Sequence, residues 1–303
     1  MRKVLLVICG ITLLFVIGVY LLVPATLRIA EAGVVSASFP AAKRFIFEKQ
    51  NWHKWSDPES FLNHSHEITN TFFTKTDIMI SNKDGQYQTS LRLIPLNIDS
   101  TGIEWEYTLP TGNNPFTRIG KYMQAKRLKM HMDSVMLLLV NFLNDKDRVY
   151  GTAVRKEQLP DRPLLSRYIV LNREPTPADT YELLSKVQEQ ARLQNDSAIG
   201  PAMKYSARID STRFELMVAI PTSRMLKTNG DYVAKGLVGG NLIATEVHGG
   251  ESELRKAWKG LEEYKADHRL SSPAIPFEEM RTDRTKEKDS SKWITKIYYP
   301  IRF

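Results

Sequence analysis

The sequence predicts an α+β protein in three parts: an apolar N-terminal helix, a curved sheet wrapped on one long helix, and a domain built from two copies of a strand-helix-strand-strand unit. Three observations carry this reading. Val4 to Val23 form twenty residues without a charge. Across the first half the apolar pattern passes from strand-like alternation to helical spacing. In the second half, two stretches repeat one order of strand, helix and hairpin, each closing on a proline. The divisions that follow are 1–26 for a transmembrane anchor, 27–148 for the curved sheet and 149–303 for the duplicated domain. With 303 residues, 42% hydrophobic and 25% charged, the chain holds apolar material for two ordinary cores.

The N-terminal run follows Arg2 and Lys3. At about 1.5 Å per residue it spans roughly 30 Å, the hydrocarbon thickness of a bilayer. A secretory signal is the alternative, with Ala30-Glu31-Ala32 as a small-residue cleavage site, but the apolar stretch of such signals is usually shorter, about 7 to 15 residues. Basic residues ahead of the run favour a single-pass protein with a cytoplasmic N-terminus and the folded domains outside the cytoplasm. Cys9, the only cysteine, sits inside the run, so the chain offers no disulfide, no Cys-based zinc site and no thiol nucleophile. The net charge of +8 comes from 42 basic and 34 acidic side chains interspersed along the chain. With no zinc-finger spacing, RNP1-like run or helix-turn-helix punctuation, no nucleic-acid partner is expected.

In the first half, Arg28 to Phe39 reads as a strand ending at Pro40, and Ala41 to Lys49 as a helix leading into Asn51-Trp52-His53-Lys54-Trp55-Ser56. Glu67 to Ser81, Gln86 to Asn97 and Gly102 to Leu109 read as strands separated by turn-type clusters. After Pro115 the period changes: Met132, Val135, Met136, Leu139, Phe142 and Leu143 fall at helical spacing, and Asn144-Asp145-Lys146-Asp147 stops the run. The early strand ending in Phe39-Pro40-Ala41-Ala42, the tryptophan-containing turn and the closing apolar helix resemble the START-like superfamily of helix-grip domains (polyketide cyclase-like, SRPBCC). That resemblance implies a hydrophobic-ligand fold over roughly residues 28 to 147 and no particular reaction.

In the second half, Ser166 to Leu171 leads to a helix, Thr180 to Gln194, and a hairpin ending at Pro221. Asn241 to Val247 leads likewise to Glu251 to His268 and a hairpin ending at Pro300. Aligning the prolines pairs Phe214 with Trp293 and Ile220 with Tyr299. Neither copy covers its own apolar helix face, so packing the two about a pseudo-twofold axis is the economical solution. Val247-His248-Gly249-Gly250, followed by Leu254, Trp258, Leu261 and Tyr264 and by the closing Trp293 to Ile301, resembles the GyrI-like small-molecule-binding family, also found as the effector domain of AraC-type and MerR-type regulators. The resemblance implies a cleft between the copies for bulky amphipathic molecules. Many members of that family carry a glutamate in the last strand where this chain has Lys296. The lysine reverses the charge and shifts the expected ligand toward an anionic or neutral amphiphile; a slipped register, with Lys296 facing solvent, is the alternative.

The ligand-binding residues expected are Tyr205, Trp258, Tyr264, Phe277, Trp293, Lys296 and Tyr298. Trp258 and Tyr264 lie six residues apart, about 120° around a helix, so at most one of them belongs to the core stripe. His64-Ser65-His66-Glu67 alternates like metal ligands on a strand, but no further ligand is suggested, and the plainer reading is a surface loop. Glu246 and His248 alternate like an acid/base pair without a nucleophile, and read more simply as solvated strand residues. No catalytic residue, metal or cofactor is assigned, and no obligate protein partner is evident. The expected function is membrane-anchored, non-enzymatic binding of a hydrophobic or amphipathic small molecule. The alternatives are a hydrolase or isomerase acting on a lipid-like substrate, and a structural or signalling adaptor with vestigial pockets.

Overall fold

The computed structural model describes residues 2–56, 64–237 and 239–302. It is a mixed α+β structure that divides into two compact units, Met1–Val149 and Tyr150–Phe303.

The first unit begins with α1 (Arg2–Leu22), the one helix among the described residues long and apolar enough to cross a membrane. Its side chains lie almost wholly uncovered by protein, with Leu21 80% and Leu22 81% exposed. Next come β1 (Thr26–Val35), α2 (Phe39–Phe47) and a 3-10 turn at Lys49–Lys54. Then follow β2 (Ser65–Thr71), β3 (Lys75–Asn82), β4 (Gly85–Asn97), β5 (Ser100–Pro110) and α3 (Pro115–Leu143). The five strands form one antiparallel sheet in the order β1-β5-β4-β3-β2, and α3 packs on it through Leu128, Met132, Val135, Leu139 and Phe142.

Two boundaries differ from the sequence expectation. Pro40 opens α2 instead of ending a strand, because Ser38 caps that helix by accepting from the Ala41 amide and a proline in the first turn has no missing hydrogen bond. The expected strand from Glu67 to Ser81 is two strands, since the Phe72 amide closes a turn on the Lys75 carbonyl. Helix α3 starts at Pro115, capped by Asn114, well ahead of the apolar stripe. Its early turns bury Arg118 and Gln124 instead of apolar residues. The Arg118 guanidinium donates to the carbonyls of Val23 and Gly112 and lies 4.4 Å from the Tyr20 ring centre, which ties the end of α1 to α3.

Among the described residues the interior between sheet and helix is closely packed. Trp52 and Trp55 donate to the Ile46 and Phe45 carbonyls, and Trp105 donates to Thr89 Oγ1, all at 2.9 Å. The cavity left among these rings, Leu91 and Leu139 is about 20 Å³, room for about one water.

A short helix, α4 (Lys146–Tyr150), precedes the second unit. There the elements are β6 (Arg155–Leu159), β7 (Arg162–Leu171), α5 (Pro177–Leu193), β8 (Ala202–Arg208) and β9 (Phe214–Pro221). The second copy continues with β10 (Val233–Leu237), β11 (Gly240–His248), α6 (Glu251–Asp267), β12 (Phe277–Met280) and β13 (Ile294–Pro300). The eight strands form one curled sheet in the order β10-β7-β9-β8-β12-β13-β11-β6. The pseudo-twofold axis runs between β8 and β12, which pair antiparallel with Glu278 opposite Lys204. Strands β6 and β10 were not expected from the sequence. Each precedes one copy in the chain and pairs with the outer strand of the other, β6 with β11 and β10 with β7, so the copies exchange their edges.

Candidate functional site

Strand alternation sorts the side chains of the second sheet onto two faces. Leu216, Val218, Ile220 and Met280 face α5 and join Leu183 and Val187 in one buried cluster. Met203, Ala219, Leu242, Phe277 and Tyr298 turn to the face without helices and form a second cluster. Each face carries a cavity.

On the helix-free face the curl of the sheet encloses about 610 Å³. Its walls include Met203, Met217, Leu242, Ile275, Phe277 and Ile301, so both copies contribute. The charged side chains among the described lining residues are Lys204, Lys235 and Arg302, all cationic. Burial pushes the Lys235 ammonium below the ordinary lysine value, with Glu215 opposing, and its Nζ lies 3.3 Å from Met217 Sδ. An apolar chamber with cations and no carboxylate on its wall favours a ligand with an apolar body and a neutral or negative head.

Farther along this face, Lys296 sits in a charged lattice. It pairs in register with Glu246 and Glu279 of the neighbouring strands, and its Nζ meets Glu157 of β6 at 2.8 Å. Burial disfavours its charge, yet Glu157 and Tyr298 beside it hold the ammonium above the ordinary lysine value. Arg281 bridges Glu279 and Glu246, and Tyr298 donates to Glu279. His248 meets Glu246 at 3.1 Å, with 62% of the imidazole side chain exposed.

The helix face holds a second cavity of about 710 Å³ between α5 and α6, floored by β8 and β12. Here Trp258 donates from its indole to Glu278 Oε1 at 3.0 Å.

Of the seven residues expected at the site, Phe277 lines the helix-free cavity, Trp258 lines the cleft on the helix face, and Tyr205 borders both. Tyr298 lies directly behind Phe277, ring centres 5.2 Å apart. Tyr298 and the other three line neither cavity. Tyr264 is 1% exposed and packs between Tyr150 and His268, so it, and not Trp258, fills the core stripe of α6. Trp293 is half-buried, donates to the Glu287 carbonyl and lies under the Arg284 guanidinium. Lys296 neither faces solvent nor opens into the chamber, because Glu157, brought in by the exchanged edge strand, claims its ammonium. Sequence reasoning missed Lys235 and Glu278. Alternation places Glu278 on the helix face opposite Phe277, a signal that was available; Lys235 lies on an edge strand with no apolar alternation to announce it.

In the first unit His66 lies on a strand and is buried, not in a surface loop, and its Nε2 is 3.0 Å from that of His131 on α3, with His64 stacked on His131 at 3.7 Å. Among the described residues no group of three or more potential ligands is arranged to hold a metal ion.

No protein-family model and no curated protein matches the chain. Solved structures are similar to it over half its length. The crystal structure of the EcmrR C-terminal domain is 14% identical, with a TM-score of 0.42, across 50% of this chain and 98% of that one. The structure of SAV2435 bound to tetraphenylphosphonium is 15% identical, with a TM-score of 0.35, across 50% of this chain and 94% of that one. A hydrolase from Listeria innocua is 8% identical, with a TM-score of 0.38, across 50% of this chain and 92% of that one.

Proposed function

We propose that this protein is a membrane-anchored, non-enzymatic binding protein that captures a hydrophobic or amphipathic small molecule with an anionic or neutral head. The observation that carries the reading is the 610 Å³ chamber on the helix-free face, walled by apolar side chains from both copies and charged only by cations. Its size falls in the usual range for small-molecule sites, about 300 to 1,000 Å³. Each buried CH₂ of a ligand would contribute about 0.8 kcal/mol, and a head placed at the Lys235 ammonium adds a charge-assisted contact.

The same reading assigns α1 as an uncleaved anchor, supported by its uncovered apolar surface and the Arg2-Lys3 flank, with both folded units outside the cytoplasm. The five-stranded sheet gripping α3 supports the START-like reading of residues 27–148. With its interior closely packed among the described residues, that domain serves as a spacer or docking surface and not as a second pocket.

The test uses an anionic naphthalene sulfonate probe on the chain from Leu27 onward, with tetraphenylphosphonium as a cationic competitor. Saturable binding of the anionic probe, weakened about tenfold by Lys235→Met and not displaced by the cation, is the expected result. Equal affinity for both probes, or no effect of Lys235→Met, would falsify the assignment. Protease added to spheroplasts is expected to digest the residues after 27; protection there would invert the topology.

A further inference from the structure

The first unit meets α1 along the side of that helix and not only at its end. Val19 and Val23 are buried and Val16 is half-buried, while the Phe15 ring lies 6.4 Å from that of Phe116, in the first turn of α3. Between them Tyr20 donates its hydroxyl to the Asn113 carbonyl, and the Arg118 guanidinium reaches the Val23 carbonyl at 2.8 Å. The stretch of the apolar run whose side chains all stay exposed is therefore Val4 to Leu14. At about 1.5 Å per residue that stretch spans roughly 16 Å, about half the 30 Å of bilayer hydrocarbon. A bilayer that covers α1 must reach roughly 14 Å further, to the level of Val23. Phe15 stands two turns of helix, roughly 12 Å, below that level, and Phe116 stands beside it.

The chain around Phe116 is built for such a medium. Phe116 itself is 72% exposed, a large apolar ring that water would not favour at the tip of a unit. Backbone in hydrocarbon must find its hydrogen bonds within the protein, and here it does. The Thr111 amide and hydroxyl donate to the Ala25 and Pro24 carbonyls at 2.9 and 2.8 Å, and Arg118 donates to the Gly112 carbonyl at 2.9 Å. The Asn114 side chain accepts from the amides of Phe116 and Thr117, and Pro110 and Pro115 bring no amide at all. One to three turns farther up α3 stand Lys121 and Lys126, and Gln124 holds the turn that carries exposed Lys83 by donating to the Asp84 carbonyl at 2.7 Å. Ammonium groups at that height match the phosphates of lipid headgroups. We infer that the loop at 110–114 and the first turn of α3 enter the bilayer beside α1, with Phe116 among the acyl chains and Lys83, Lys121 and Lys126 at the headgroup phosphates. The inference rests on the reading of α1 as an uncleaved anchor and adds that the first unit is seated in the membrane instead of hanging from a tether.

Helix α3 carries a ruler for the test. Phe116, Met123, Met130 and Leu137 are all exposed and follow one another at two helical turns, roughly 10 Å each. The helix climbs away from the anchor, since Asn144 at its far end accepts from the Ser36 amide just past β1. Full-length protein carries a nitroxide at native Cys9 or, in a Cys9→Ser background, at Phe116→Cys, Met123→Cys, Met130→Cys or Leu137→Cys. In vesicles of phosphatidylcholine and phosphatidylglycerol, electron paramagnetic resonance compares collisions with oxygen, which concentrates in hydrocarbon, and with a water-soluble nickel chelate, which hydrocarbon excludes. The oxygen-to-nickel ratio at site 116 is expected to approach that at Cys9 and to exceed that at site 137 about tenfold, with site 123 between. A high ratio at Cys9 beside equal ratios at sites 116 and 137 leaves the anchor standing and overturns the inference. Low ratios at both Cys9 and site 116 overturn the anchor and the inference together, and high ratios at all four sites of α3 show that helix lying flat and overturn it too. Should Phe116→Cys not fold, Gly120→Cys, where a Cβ meets nothing within 4 Å, decides in the same way one turn higher: a ratio above that at site 137 supports the inference and an equal one overturns it.

Discussion

Replacing Gly260 by Ala sets two well-understood effects against each other, and the structure says which wins. Gly260 lies inside α6, where alanine is worth about 1 kcal/mol more than glycine by helix propensity alone. A Cβ at that position, however, would stand 2.3 Å from the Tyr150 carbonyl oxygen and 2.9 Å from Thr152 Cγ2. Ordinary contacts of this kind begin near 3.3 Å, so the overlap with the carbonyl is about 1 Å. The obstructing atom is backbone, and Tyr150 is itself buried, its ring edge-on to Tyr264 at 5.1 Å. Helix α6 must therefore move outward. Overpacking of this kind costs typically 1 to 3 kcal/mol and more against a rigid group, so the net change is a loss of about 1 to 2 kcal/mol. For a unit of this size that lowers the melting temperature by roughly 2 to 8 °C. Thermal unfolding followed by circular dichroism measures it. Outward movement of α6 also stretches the Trp258–Glu278 hydrogen bond, so a shift in tryptophan emission should accompany the loss. A melting temperature that rises, as propensity alone demands, would show that α6 is not seated on the turn at 150–152, and the helix-face cleft would lose its stated geometry.

Burial, then the neighbouring charges of His131, His64 and Lys49, lowers the His66 pKa to about 3, and burial and His64 lower that of His131 to about 4. Unfolded imidazoles titrate near 6.5, so as the pH falls the unfolded chain takes protons first. Stability of the first unit is expected to decline from about pH 6.5 downward, by about 2 kcal/mol from His66 at pH 5, and His66→Gln should flatten that limb of the curve. Trp293→Ala should lose about 1 to 2 kcal/mol of stability in the second unit while leaving probe affinity unchanged, since its indole anchors the Glu287 carbonyl and a stacked Arg284 instead of a ligand; weakened probe binding without a loss of melting temperature would return it to a pocket wall. Arg118→Met removes a hydrogen bond to the Val23 carbonyl at the end of α1 and another to the Gly112 carbonyl just ahead of α3. It should accelerate proteolysis between Leu22 and Thr26, and an unchanged cleavage rate would show that the link is not needed to order that segment.

The parts of this fold legible in the sequence are those where local pattern and tertiary burial agree. Both hairpins of the second unit end in apolar strands closed by Pro221 and Pro300, and these are the strands that flank its central pair on either side. The 120° between Trp258 and Tyr264 separated a core residue from a cleft residue before either face was known. What escaped depends on contacts distant in the chain. Edge strand β6, Arg-Lys-Glu-Gln-Leu, shows no apolar alternation because one flank of an edge strand has no neighbour. Its Glu157 nonetheless meets Lys296, 139 residues away. Lys296 could therefore be placed on its strand and weighed for charge, but its occupant could not be read. The early turns of α3 escaped because buried Arg118 and Gln124 are satisfied by carbonyls and Tyr87, not by apolar neighbours. Phe72 and Phe73 kept the period of a strand across what is a turn.

Duplication explains why both candidate sites arise where they do. The seam between copies is the β8–β12 pair at the centre of the eight-stranded sheet. On one face of the seam alternation sets Met203 and Phe277 into the apolar chamber, and on the other it sets Lys204 and Glu278 at the floor of the cleft. The two copies differ at this position, and Lys204 of one meets Glu278 of the other at 3.5 Å, so the charges at the floor balance. The exchanged edges, β6 on β11 and β10 on β7, then bind the copies so that neither wall of either cavity can be supplied by one copy alone. The chemical character of each site is thus set by how the two halves differ, and its existence by how they are alike.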